Sequence, residues 1–255
     1  MKPKVLIFRT AGTNCDRETE FAFKLAGAET ELSHINIIKE KKSFLSYQII
    51  CIPGGFTYGD DLGAGKIFSL ELDLWFKEML NAFLDKGGLI LGICNGFQVL
   101  VKTGILPDLD FIQKVTLTDN DSWRFEDRWV YLNIPKKAYR EVWLKDLPDI
   151  IQLPVAHGEG KFYAPRSILE KIEGNNQVAL RYVDEKGNTA GYPYNPNGSC
   201  NNIAGITDAS GRVLGLMPHP ERFILRHHHP FWHKKEVFPW GLKIIKNAVD
   251  YLLVS

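Results

Sequence analysis

The chain has 255 residues, enough for one large α/β domain with a full core or for two small domains. Hydrophobic residues make up 45% and charged residues 24%, and 31 Lys plus Arg against 30 Asp plus Glu leave a net charge of +1. That balance excludes a polybasic nucleic-acid binder and an acidic tail. No apolar run is long enough to cross a bilayer or to serve as a signal peptide, so a cytoplasmic protein without membrane or nucleic-acid partners is predicted.

Val5 to Phe8 reads as a buried strand. A Gly-Thr-Asn turn follows, then a helix with Phe21, Ala22, Leu25 and Ala26 on one face and Gly27 as its stop. Further strands are predicted at Thr30 to Ile35 and at Ile49 to Ile52, the latter ended by Pro53-Gly54-Gly55. Leu70 to Leu84 reads as a helix with Leu74, Met79, Leu80, Phe83 and Leu84 on one side, broken by Gly87-Gly88. Leu89 to Ile93 has no alternation, as expected of a strand covered on both faces, and a helix from Asn95 to Lys102 closes at Gly104.

This alternation implies parallel strands joined by crossover helices, hence an open, mostly parallel α/β sheet flanked by helices. The second half is richer in strand-like runs: Val115 to Leu117, Trp129 to Asn133, Ile151 to Val155, Gln177 to Val183, Ile203 to Thr207 and Val213 to Met217. An amphipathic helix from Trp240 to Leu253 carries Leu242, Ile245, Val249 and Leu252 at helical spacing. There is no repeat or low-complexity linker, and a single domain over residues 1–255 is expected.

The four cysteines, Cys15, Cys51, Cys94 and Cys200, are scattered without a C-x-x-C pair, so neither a zinc site nor a disulfide framework is expected. Cys94 stands apart. The run Leu89-Ile90-Leu91-Gly92-Ile93-Cys94-Asn95-Gly96-Phe97-Gln98 takes a strand through Gly-x-Cys-x-Gly straight into a helix, the pattern of a nucleophile elbow with Cys in place of Ser. The glycines admit close neighbours at the sharp turn. The helix N-terminus favours a thiolate and presents N–H groups to an oxyanion. An ordinary buried cysteine is the bland alternative, and it suits Cys51 better, inside an apolar strand. Cys15, in a polar turn, is the weaker rival nucleophile.

A thiol needs a base. His219 lies in Met217-Pro218-His219-Pro220-Glu221-Arg222 directly after a strand. In an extended segment Glu221 points to the same side and can orient the imidazole. The run His227-His228-His229 reads as a solvated loop, because adjacent residues do not converge readily on one ion.

The loop Gly54-Gly55-Phe56 through Lys66 fails as a phosphate loop. Asp60 stands where the first glycine is required, and Ile67 where Ser or Thr is required. Gly54-Gly55 instead suits a backbone oxyanion hole, with the N–H of Gly55 or Phe56 facing a substrate carbonyl.

Together, Gly-Ile-Cys-Asn-Gly-Phe-Gln, Pro-Gly-Gly-Phe-Thr-Tyr-Gly-Asp and Met-Pro-His-Pro-Glu-Arg resemble class I (triad) glutamine amidotransferases, a flavodoxin-like fold. More narrowly, they resemble the family of glutaminase subunits serving phosphoribosylformylglycinamidine (FGAM) synthases in purine synthesis. Gly12 to Glu18, Arg124 to Trp129, Val155 to Gly160 and the segments Asn197-Gly198-Ser199 and Asn202 to Ile206 are similar to that family in the same order.

The resemblance implies Cys94 as nucleophile, His219 as base and acid, and Glu221 as its partner. It implies Gly55 and Asn95 at the oxyanion through their N–H groups, and Gln98, His157 and Gly158 near the pocket for L-glutamine. It implies no cofactor or metal in this chain. The partners implied are a large synthase subunit, which uses ATP and magnesium on formylglycinamide ribonucleotide, and a small bridging subunit. Trp123, Phe125, Trp129 and Phe231-Trp232 are candidates for that interface. Two alternatives stand beside this reading: a glutaminase subunit of another triad amidotransferase, and a catalytically silent binding subunit.

Overall fold

A computed structural model describes residues 1–41, 43–138 and 141–254. In chain order the elements are β1 (Lys4–Arg9), α1 (Asp16–Leu25), β2 (Glu29–His34), the single turn α2 (Ile35–Ile38), β3 (Ile49–Ile52), α3 (Lys66–Asp85), β4 (Leu89–Ile93) and α4 (Asn95–Thr103). There follow β5 (Thr116–Asp119), β6 (Glu126–Asn133), β7 (Ile150–His157), β8 (Glu159–Tyr163), α5 (Arg166–Gly174), β9 (Val178–Val183), β10 (Ile203–Thr207), β11 (Val213–Leu216) and α6 (Trp240–Val254).

One nine-stranded sheet runs in the order β2-β1-β3-β4-β11-β10-β9-β6-β7, and β5 with β8 forms a separate antiparallel ribbon. The pairs from β2 to β11 are parallel, and those from β11 to β7 are antiparallel. The mostly parallel α/β sheet expected from the sequence is therefore its first half, and the strand-rich second half extends it. From β1 the chain moves outward to β2, then returns past β1 to β3 and β4. With right-handed crossovers this reversal places α1 and α3 on opposite faces. It leaves a crevice at the C-terminal ends of β1 and β3, where open α/β sheets bind ligands.

Every residue of β3 and β4 is buried, which is why these strands carry no polar alternation. An aromatic cluster pins α3 to the sheet: the Phe8 ring centroid lies 6.1 Å from that of Phe68 and 5.9 Å from that of Phe76. Such pairs contribute about 1 kcal/mol each beyond the area they bury.

The buried face of α3 is Phe68, Leu72, Phe76, Leu80, Phe83 and Leu84, and Leu74 is 75% exposed, so the predicted face was rotated at its start. Phe21 and Leu25 of α1 are likewise exposed, while Ala22 and Phe23 turn inward. Helical spacing identifies a stripe, but two apolar residues at its edge shift the apparent direction. α5 and β8 have no clear signal in the sequence, because their exposed positions leave only short apolar runs.

Candidate active site

The elbow at Cys94 is strained where a nucleophile needs it to be. Cys94 has φ 50° and ψ −105°, between the end of β4 and the start of α4. A non-glycine residue held at positive φ costs of order 1–3 kcal/mol and persists only where its surroundings enforce it. The neighbouring glycines meet the demand for space. A Cβ on Gly96 would lie 1.9 Å from the Ile52 carbonyl oxygen, and one on Gly92 would lie 2.5 Å from Leu100 Cδ1. The Cys94 N–H donates to the Leu216 carbonyl at 2.8 Å, tying the elbow to β11.

That tie brings a histidine into range. Parallel pairing sets Ile93 opposite Leu216, so the chain leaving β11 passes beside Cys94 and delivers His219. The His219 N–H donates to the Pro154 carbonyl at 2.8 Å, which fixes its backbone against β7. Its ring Nδ1 lies 2.6 Å from Glu221 Oε1, and both side chains are buried. Burial by itself lowers the imidazole's affinity for a proton. The Glu221 carboxylate and the Cys94 and Cys15 sulfurs more than offset this, so its pKa stands well above the ordinary value. Nε2 has no hydrogen-bond partner among the described residues, so it is available to the thiol proton.

Cys15 is not an exposed turn residue. It is buried beside the same imidazole, and a Cβ on Gly54 would sit 2.9 Å from His219 Cε1 and 3.2 Å from Cys15 Sγ. Burial pushes its thiol up to about 11, which removes it as a rival nucleophile at neutral pH.

A cavity of about 330 Å³ opens in front of Cys94, lined by Gly55, Phe56, Gln98, His157 and Gly158 among others. Gly54 is absent from that lining and backs onto His219 instead. The Phe56 N–H donates to the Gly12 carbonyl at 3.0 Å, so it is not an oxyanion donor, and the Phe56 ring forms a wall of the cavity. This leaves the Gly55 N–H, which meets no backbone acceptor among the described residues, and the first N–H groups of α4, which have no intrahelical partner by position.

Asn95 turns its side chain away into a buried network. It accepts from Thr57 Oγ1 at 2.7 Å and donates to Gln98 Oε1 at 2.9 Å and Asp60 Oδ1 at 3.2 Å. Gln98 Nε2 donates in turn to the Glu159 carbonyl. His157 has both ring nitrogens engaged, Nδ1 with Asn120 Oδ1 at 3.1 Å and Nε2 with Asn197 Nδ2 at 3.4 Å. Burial pushes it down to about 3, so it is a neutral ring that shapes the turn between β7 and β8.

Sequence reasoning missed Asp60, Asp119 and Glu159 and left Arg124 without a role, yet all four line the cavity. Asp119 and Glu159 face each other across the β5–β8 ribbon, a pairing that no local motif announces.

Of the aromatic interface candidates, Trp123 and Phe125 are exposed at the rim, and the Phe125 ring lies 6.3 Å from that of Phe56. Phe231 and Trp232 are also exposed. Trp129 belongs to the core edge, 5.0 Å from Phe223 and 4.6 Å from His229. His229 corrects the solvated-loop reading of its run: it is buried, with Nε2 3.2 Å from Gln152 Oε1. His227, two residues earlier, is exposed.

Comparison with known proteins agrees with this geometry. Residues 2–252 match the family model described as CobB/CobQ-like glutamine amidotransferase domain. The chain is 50% identical over 254 residues to the phosphoribosylformylglycinamidine synthase subunit PurQ of Dehalococcoides mccartyi, covering 98% of each chain. The chain belongs to the glutamine amidotransferase family, among the PurQ subunits. Its identity to PurQ of Treponema denticola is 43%, over 99% of this chain and 100% of the relative. A solved structure described as PurLQS from Thermotoga maritima superposes with a TM-score of 0.77 at 30% identity, covering 99% of this chain and 100% of the other. The α/β amidotransferase fold expected from the motifs is thereby established, as is the enzyme class: a glutaminase subunit of FGAM synthase.

Proposed function

We propose that Cys94, His219 and Glu221 are the residues that hydrolyse glutamine. The observation that carries this is the elbow cysteine at positive φ beside a buried His219–Glu221 pair, at the floor of an open cavity. The Cys94 sulfur attacks the carboxamide carbon of L-glutamine, and its proton passes to His219 Nε2. The Gly55 N–H and the N–H groups opening α4, beginning with Asn95, hold the oxyanion. His219 protonates the departing ammonia, then takes a proton from the water that releases glutamate from the thioester. Glu221 keeps Nδ1 protonated and oriented throughout.

The substrate's two charged ends find complements in the lining: Arg124 for the α-carboxylate, and Asp60, Asp119 and Glu159 for the α-ammonium. Gln98 and His157 act by holding the cavity wall. No metal or cofactor enters the hydrolysis.

Free ammonia is largely protonated at neutral pH and then is no nucleophile, so it must pass directly to an acceptor site. A large synthase subunit using ATP and magnesium on formylglycinamide ribonucleotide fills that role, with a small bridging subunit, and the complex works in the cytoplasm. The exposed Phe56, Trp123 and Phe125 at the cavity rim suit a partner that closes over the opening. We read residues 1–255 as a single domain. The test is glutamate release by the chain alone and with its synthase and bridging partners. Activity that rises with partners and vanishes in Cys94→Ala supports the reading, and activity retained in Cys94→Ala overturns it.

A further inference from the structure

We propose that Cys15, His219 and Glu221 form a site for a thiophilic divalent cation of the zinc type, whose binding reversibly shuts off the glutaminase. The inhibitory half of this rests on the reading of His219 as catalytic base.

The three residues come from two strand ends. Cys15 follows β1, and His219 and Glu221 follow β11. One donor atom from each lies within 4.8 Å of the others, and all three residues are buried. A tetrahedral zinc ion holds its donors at about 2.0–2.3 Å, hence roughly 3.5 Å from one another. Side-chain rotations that draw the donors in by about 1 Å therefore close the site.

An independent observation points the same way. The second carboxylate oxygen of Glu221, Oε2, is buried and has no hydrogen-bond partner among the described residues. Hydrogen bonding to His219 uses Oε1 alone, so the triad leaves Oε2 idle. Gly54 keeps the gap between the donors clear. A Cβ there would lie 3.2 Å from Cys15 Sγ and 3.4 Å from His219 Nδ1. A sulfur, an imidazole nitrogen and one carboxylate oxygen suit zinc, whereas magnesium and calcium prefer oxygen cages. Arg222 Nη2 lies 3.1 Å from Cys15 Sγ and its charge opposes a cation, but Glu18 pairs with Arg222 Nε at 2.9 Å and partly offsets it.

The chemistry balances without a redox step. The Cys15 thiol releases its proton to solvent as the metal–sulfur bond forms. The imidazole binds through Nδ1, whose proton leaves to solvent, and the ring keeps its one remaining proton on Nε2. Nε2 then has no lone pair for the Cys94 proton, and the base is out of service.

The test uses cobalt(II) as a spectroscopic probe on the full chain, read by thiolate-to-cobalt charge-transfer absorption, for wild type, Cys15→Ala, Cys15→Ser and Cys94→Ala. Absorption should appear in wild type and Cys94→Ala and be lost in both Cys15 variants, which have no thiolate to give the metal and whose fold is checked by circular dichroism. In the assembled synthase, zinc should inhibit glutamate release, reversibly on adding EDTA, and Cys15→Ala should need about tenfold more zinc. Two results overturn the proposal: no absorption in wild type, or absorption that survives in Cys15→Ala and disappears in Cys94→Ala. The cobalt measurement needs no activity, so its failure is distinct from a failure of the glutaminase reading.

Discussion

His219 and Glu221 are two residues apart, and their Nδ1 and Oε1 atoms meet at 2.6 Å. An extended strand would hold side chains at that spacing nearly 7 Å apart. Pro220 instead opens a short 3-10 turn over Pro220–Arg222, which swings the carboxylate onto the ring. The pair is made by a turn, where the sequence had suggested extension.

Replacing the charge of that pair should cost rate rather than fold. Glu221→Gln is expected to lower kcat by about 10²–10⁴ while the thermal midpoint moves little. Steady-state glutamate release in the assembled synthase measures it. A loss of less than threefold would remove Glu221 from the mechanism.

Gly96→Ala should damage the elbow directly. The added Cβ would sit 1.9 Å from the Ile52 carbonyl oxygen, so β3 or α4 must shift. Urea unfolding should show a destabilisation of about 1–3 kcal/mol, with activity falling further than stability explains. Unchanged activity at reduced stability would show that Cys94 tolerates displacement.

Arg124 is the one lysine or arginine that lines the cavity among the described residues. Arg124→Gln should therefore raise KM for glutamine by about tenfold or more and leave kcat within about threefold, because the contact is made equally before and during reaction. A pure kcat effect would place the α-carboxylate elsewhere.

His157 predicts a specific acid sensitivity. Its folded pKa is pushed down to about 3 from 6.5 by burial, so the folded ring stays neutral while the unfolded ring takes up a proton. Its contribution is fully present above about pH 6.5 and is lost as pH falls toward 3, by as much as roughly 5 kcal/mol. Urea midpoints across that window should fall steeply in wild type. In His157→Gln they should start lower and fall less. Equal slopes would refute the assignment.

The sheet and the elbow at Cys94 were legible because their signals are local. A strand buried on both faces has no alternation, and Gly92, Cys94 and Gly96 describe a turn within five residues. The acidic lining of the cavity was not legible for the opposite reason. Asp119 and Glu159 meet only because β5 and β8 pair, and Asp60 reaches the cavity from a loop where its Oδ1 accepts from Asn95 Nδ2 and the Gly65 N–H. Phe56 shows the finer limit: it lines the cavity, but whether its N–H was free depended on the Gly12 carbonyl, some forty residues earlier.

The sequence by itself marked the candidate groups: a cysteine on a strand-to-helix elbow, a histidine after a later strand and an acid beside it. Only the tertiary structure decided which partner each group meets. Parallel pairing of β4 with β11 carries His219 to Cys94, and folding of the β1 loop brings a second thiol, Cys15, against the same imidazole. The physical reason is range. Turn geometry and apolar periodicity act over a few neighbouring residues, whereas burial, desolvation and long-range hydrogen bonds depend on contacts that exist only once the sheet has closed.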